Sequence, residues 1–252
     1  MNKYILKYEA KQFMKNYAGI FFGMIFPILI GSLVIIGVTS NIPESAINEV
    51  KKSILLTINT IGPLSIFLIG FSSIFAKDLE EGVYDRLELF SISHLQMAKY
   101  KFIVYYIFYM ISNVLYFAIM VNAFDIDISF VSIAKHTGYV SLIVISLFFI
   151  AYALCLFTKK FSVAYYVSMI LYFALMILGG MMGIAVEDLP SGLKNIAKLL
   201  PTSHFSSVDY IKEVGANGGL NYSFLQSIIV FIILSIILFE LALYKNRRKT
   251  NQ

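Results

Sequence analysis

The chain has 252 residues, 59% of them hydrophobic and only 14% charged, with a mean hydropathy of +0.79. A soluble domain averages about half apolar and about a quarter charged residues, so this composition excludes one and predicts an integral membrane protein. The net charge of +5 does not point to nucleic acid, because the basic residues cluster beside apolar runs, as on the cytoplasmic side of membrane proteins.

Residues 2–17 read as an amphipathic helix. Lys3, Lys7, Lys11 and Lys15 recur every four residues, and Leu6, Ala10, Phe13 and Tyr17 share the neighbouring face. Such a helix is expected to lie in the headgroup plane, its lysines drawn to anionic lipid by roughly 1 kcal/mol each. The alternative is a basic flank that only sets orientation. No small-residue cleavage site follows the first apolar run, so no cleavable signal is expected.

Six uncharged runs follow, at about 17–38, 53–76, 102–124, 137–158, 161–186 and 222–239. Each approaches or exceeds the roughly 20 residues that cross a bilayer core as a helix. Lys and Arg divide fourteen against six between alternate connecting segments. That bias places both termini and the 77–101 loop in the cytoplasm.

The loop 77–101 is long and periodic. Asp78, Glu81, Asp85 and Glu88 fall on one helical face, and Leu79, Val83, Leu87 and Phe90 on another. This is the pattern of a helix packed on one side and open to water or a partner on the other. Ser93 with Gln96 reads as a capping box opening the next helix. A solvated hairpin and a docking element both fit this periodicity.

Pro27 and Pro63 interrupt spans, which bundles tolerate when neighbours satisfy the freed carbonyls. Asn59 and Asn113 sit at membrane depth and are read as interhelical hydrogen-bonding residues. Cys155 is the single cysteine and lies in an apolar run, which excludes a disulfide framework. After the fifth run, Leu193, Ile196, Ala197 and Leu200 line one side of a short amphipathic stretch ended by Pro201, and a further short helix is expected over Ser203–Glu213. Both are expected half-buried at the outer leaflet, against the alternative of a loop resting on headgroups. No ionisable residue lies centrally in a span, which argues against transport driven by protons or ions through the bundle itself.

No Gly-x4-Gly-Lys-Ser/Thr sequence occurs, so no P-loop is expected on this chain. His94, His136 and His204 lack partners at metal-ligand spacing. Glu80-Glu81, Arg86, Phe90 and His94 approach the pattern of CAAX-protease-like membrane enzymes. The arginine spacing is one residue long, however, and all of these residues lie in one loop.

The entry helix, six spans, acidic loop and Pro-bounded short helices together resemble the permease subunits of ABC-2 type exporters. Glu80-Glu81-Gly82-Val83-Tyr84 through Leu89-Phe90-Ser91-Ile92-Ser93 stand where that family carries its cytoplasmic coupling segment, without the proline often found in its break. Leu189-Pro190 and Leu200-Pro201 resemble its short re-entrant outer helices. The resemblance implies one all-α transmembrane domain over 1–252, with 2–17 interfacial, 77–101 coupling and 187–221 re-entrant. It implies that Glu80, Glu81, Val83, Tyr84, Asp85, Arg86, Leu87, Glu88 and Phe90 couple to a separate cytoplasmic ABC ATPase, which holds the ATP and Mg. This chain would itself bind no cofactor and catalyse nothing.

Six spans cannot easily enclose a route for a bulky solute, so a second permease copy, identical or related, is expected. Membrane lipids are the other expected partner, and nucleic acid is not one. Residue usage rich in Ile, Lys, Asn, Tyr and Phe suggests an AT-rich bacterium and hence a bacterial cell membrane. The chain is similar there to short permeases that export amphipathic or antimicrobial peptides, including lantibiotic immunity pumps and exporters of phenol-soluble modulins. Export of lipid-linked polysaccharide or drugs, a non-transporting sensor and an intramembrane protease-like protein are the alternatives.

Overall fold

The computed structural model describes residues 3–39, 42–89, 92, 94–182, 186–215, 218 and 221–250, and every regular element among them is helical. A short helix, α1 (Lys3–Met14), precedes the first span, α2 (Tyr17–Val38). The second span, α3 (Glu44–Glu80), is followed by a one-and-a-half-turn helix, α4 (Val83–Glu88), and the third span, α5 (His94–Phe124). The fourth and fifth spans are α6 (Phe130–Thr158) and α7 (Phe161–Leu178). Two short helices, α8 (Ser191–Ala197) and α9 (Val208–Val214), lead to the last span within α10 (Tyr222–Thr250). Six helices are thus long and apolar enough to cross a membrane: this is an all-α integral membrane protein, and α1, α4 and the tail lie at one end of its bundle, the terminal end.

Local chemistry sets the breaks. Asn16 separates α1 from α2: its side-chain oxygen accepts from the Gly19 N–H at 3.0 Å, capping the new helix. Ser129 does the same for α6, accepting from Ser132 N–H at 3.1 Å. Lys159 adopts φ 51° and ends α6, so α7 can turn back immediately.

The uncharged run from Ser53 to Ala76 has no polar face, and a helix apolar all round belongs in an interior. It runs through the centre of the bundle: every residue from Leu55 to Ser72 is buried. α2, α7 and α10 keep outward apolar faces such as Leu29 and Leu33, Tyr166 and Ile170, and Ile233 and Leu234, the surfaces that lipid would cover. Two segments, Phe21–Ile25 in α2 and Ser65–Phe71 in α3, are wound as π-helix. They pack on each other across glycines: a Cβ on Gly19 would come within 3.1 Å of Gly70 Cα, and one on Gly62 within 2.9 Å of the Gly23 carbonyl oxygen.

One face of α5 stitches these spans together. Tyr105 donates to the Gly70 carbonyl (3.4 Å), Ser112 to Gly23 (2.8 Å) and Tyr116 to Leu55 (3.0 Å). Gly23 lies one α-helical turn before Pro27, which has no N–H to offer it. The Ser112 hydroxyl thus supplies the bond that the proline withholds.

At the opposite end, α9 is tied to α6. His136 bridges Tyr210 Oη (2.7 Å) and Asn59 Oδ1 (3.2 Å), and Tyr139 donates to the Glu213 carboxylate (3.0 Å). Lys135 Nζ donates to the Gly215 carbonyl at 2.8 Å. Asn113 donates to Thr137 Oγ1 at 3.0 Å, also an interhelical bond. His136→Leu is expected to leave Tyr210 and Asn59 without their shared partner, costing about 1–3 kcal/mol. The check is thermal denaturation of the detergent-purified protein.

Two expectations for this end are corrected. Ser203–Glu213 is not one helix: Pro201–His204 forms a 3-10 turn, and Ser207 then caps α9, accepting from Tyr210 N–H at 3.2 Å. On α8, Ala197 is buried but Leu193 and Ile196 are exposed. Leu200, just beyond α8, is partly buried against the core, so the expected apolar face is divided between protein and outside.

Candidate functional site

The candidate site is at the terminal end, where α3 stops. Its last turn closes with Glu81 N–H on the Lys77 carbonyl (2.9 Å) and Gly82 N–H on that of Leu79 (3.2 Å). Gly82 then takes φ 65°, a left-handed conformation that costs glycine little, and redirects the chain into α4. The expected single acidic helix is therefore broken, and its acids do not share a face. Asp78 is buried, whereas Glu81 and Asp85 are exposed.

Expected coupling residues divide by environment. Asp85 and Arg86 project outward, and Val83 and Leu87 are partly covered. Tyr84 is buried, its ring edge-on to Phe75 at 5.2 Å, and burial pushes its hydroxyl pKa well up, with Glu9 and Asp78 adding to the shift. Glu80 accepts from the Phe161 N–H at 2.7 Å, tying the α3 end to the first turn of α7. Glu81 pairs with Lys77 at 3.7 Å with both side chains more than half exposed; such a pair contributes little. The side chain of Glu88 lies outside the described residues, as do Phe90, Ser91 and Ser93 of the expected break and capping box.

Leu89, absent from the expected set, is 84% exposed directly after α4.

α1 packs beside this loop. Lys3, Lys7, Lys11 and Lys15 are exposed as the repeat required, but Phe13 enters the bundle, stacked on Phe108 at 4.0 Å and edge-on to Tyr105 at 4.9 Å. Between α1 and the end of α3 lies an open cavity of about 510 Å³, with Tyr8, Lys11 and Lys15 on one wall and Lys77, Glu81 and Val83 on the other.

Beneath that cavity is a charge cluster the sequence did not reveal. Lys101 of α5 is fully buried, and its three ammonium hydrogens meet three acceptors. They are Glu9 Oε2 at 2.7 Å, Asp78 Oδ2 at 2.9 Å and Gln12 Oε1 at 3.0 Å. Gln12 closes the ring by donating to Asp78 Oδ1 at 2.8 Å. Glu9 is fully buried too. Burial pushes its carboxyl above the ordinary carboxylate value, Lys101 opposes that, and Asp78 adds to it. Glu9 sits one turn before Phe13, on the same inward face, and that spacing was the available signal. Among the described residues no group of His, Cys, Asp and Glu is arranged to hold a metal ion.

The site is thus a short, half-exposed helix and a cavity at one end of a six-span bundle. No curated protein matches the chain. The family model described as ABC-2 family transporter protein matches residues 41–244, from the segment before α3 to the last span, leaving α1 and α2 outside the match. That match takes in five of the six spans, both short helices of the opposite end and the α3–α4 turn, and the chain belongs to the ABC-2 transporter family as a transport membrane subunit.

Proposed function

We propose that the chain, as one transmembrane unit, is the permease half of an ATP-driven exporter whose terminal end faces the cytoplasm of a bacterial cell. A separate cassette ATPase, carrying the ATP and Mg, docks on α4 and the cavity beside it. The observation that carries this reading is α4 itself: a helix set apart by the Gly82 turn, flanked by the open 510 Å³ cavity and ending in an exposed leucine. Arg86 and Leu89 with Asp85 offer a mixed charged and apolar contact, and the lysines of α1 lie where anionic headgroups would meet them.

A second copy, identical or related, completes the path. The outward apolar faces of α2 and α7 are available for it as well as for lipid. The substrate class that suits an uncharged, aromatic-rich bundle is an amphipathic peptide, such as a toxin or an antimicrobial peptide.

Leu87 packs against the core, so Leu87→Asp would test folding as much as docking. Leu89→Asp changes only the exposed tip. It is expected to leave the permease in the membrane at wild-type level while reducing co-purified ATPase and peptide-stimulated ATP hydrolysis by about tenfold. The tenfold change corresponds to about 1.4 kcal/mol of contact energy. Wild-type capture and stimulation would refute docking through this helix.

A further inference from the structure

Glu9, Asp78 and Lys101 belong to three separate elements: α1, the end of α3 that presents α4, and α5. Side-chain exposure is 0% for Lys101 and Glu9 and 7% for Asp78, so the cluster cannot lean on water. It holds one ammonium and two carboxyl groups. If both carboxyls are ionised, one negative charge is buried without a counter-charge, a costly arrangement. Glu9 Oε1, moreover, has no hydrogen-bond partner among the described residues. A static ion pair would satisfy both carboxylate oxygens, whereas a carboxyl with one unengaged oxygen has room for a proton.

We propose that Lys101 is a positioning residue whose grip on α1 and on the α3–α4 turn is set by one proton bound at Glu9. With the proton on, the cluster is neutral and α1 and the end of α3 are clamped to α5, which presents α4. With it off, the surplus negative charge loosens α1. This rests on the docking reading above and assigns that site a regulator, cytosolic pH. The step is proton uptake from the cytosol by a carboxylate, with no other bond made or broken.

The other groups facing the cluster are Tyr8 on α1, the exposed Lys77–Glu81 pair on α3 and Tyr84 on α4. Tyr105 shares α5, and Cys155 faces from α6. The tyrosines and the thiol are neutral near pH 7, and both Asp78 oxygens are engaged, Oδ1 by Gln12 and Oδ2 by Lys101, so Glu9, with Oε1 unengaged, is the carboxyl with room for the proton. Its sign follows from burial. The carboxyl of the packed form sits above its ordinary value, so between those two values the packed form binds the proton that the loosened form releases. Packing is favoured fully below the ordinary carboxylate range and is lost as pH rises through the raised value.

The test places spin labels at Lys7→Cys and Asp85→Cys, both exposed positions, in nanodisc-reconstituted permease; the buried Cys155 is out of reach of the label. Wild type should show one narrow distance at the acid end of a pH titration, and that distance should broaden as the pH rises through the raised Glu9 value. Glu9→Gln should stay narrow throughout, Lys101→Met broad throughout, and Lys101→Arg should follow wild type. A pH response that persists in Glu9→Gln, or its absence from wild type, would overturn the proposal whether or not Lys101→Met folds. In parallel, capture of the cassette ATPase by wild type should fall severalfold over the same pH rise and stay flat in Glu9→Gln. Spin-label behaviour as stated with no ATPase captured at any pH would leave the proton-set clamp standing and sink the docking reading alone.

Discussion

Lys101→Met is expected to be the most damaging single substitution in the protein. It removes the only cation from a buried pair of carboxyl groups and leaves Gln12 Oε1 without its donor. Breaking a buried ion pair by deleting one partner costs about 3–5 kcal/mol, a large share of the roughly 5–15 kcal/mol typical of a folded protein. The purified variant should melt well below wild type in detergent and accumulate poorly in membranes. Neutralising all three groups together, as Lys101→Met, Glu9→Gln and Asp78→Asn, should recover most of that loss, since no charge is then stranded. Failure of the triple variant to recover would mean that packing around the methylene stem, not charge balance, sets the cost.

The second large effect is expected at Gly62. A Cβ there would meet the Gly23 carbonyl oxygen at 2.9 Å, a main-chain atom that cannot rotate away, with Pro27 Cγ and Ser112 Oγ each at 3.9 Å. Gly62→Val must push α2 away from α3 and strain the Ser112 bond to Gly23. Overpacking of this kind costs about 1–3 kcal/mol, and here a hydrogen bond worth about 1 kcal/mol goes with it. Gly138→Val, where no atom lies within 4 Å of the added Cβ, is the matched control. Melting temperatures of the two variants, measured side by side, check the claim. Equal melting would show that the glycine contact does not set the spacing of the two spans.

Much of the architecture was legible because a bilayer imposes few solutions. Long uncharged runs gave the six helices, and the Lys and Arg bias gave an orientation that the proposed docking reading uses. What could not be read was which polar residues look inward. Asp78 continues the spacing of Glu81, Asp85 and Glu88 perfectly, yet Gly82 breaks the helix after it. Its partner Lys101 is 23 residues further on, and Glu9 is 69 residues back, on a helix whose lysine repeat drew attention to the opposite face. Pairing across such separations is set by how α1, α3 and α5 dock, and helical periodicity carries no information about docking. Leu193 and Ile196 misled in the converse way: their spacing marks an apolar face correctly but does not say whether protein or lipid will cover it.

The contacts from Tyr105, Ser112 and Tyr116 share one property: every acceptor is a main-chain oxygen. Side chains in the first two membrane helices can therefore drift without deleting an acceptor, while the donors are fixed to three positions of the third. If the transporter is built from two diverged copies, side chains of the first pair of helices that lie outside the glycine contacts can part without loss of any of these acceptors. A hybrid protomer with those two helices exchanged between the copies would keep its internal stitching so long as the donor helix is left untouched.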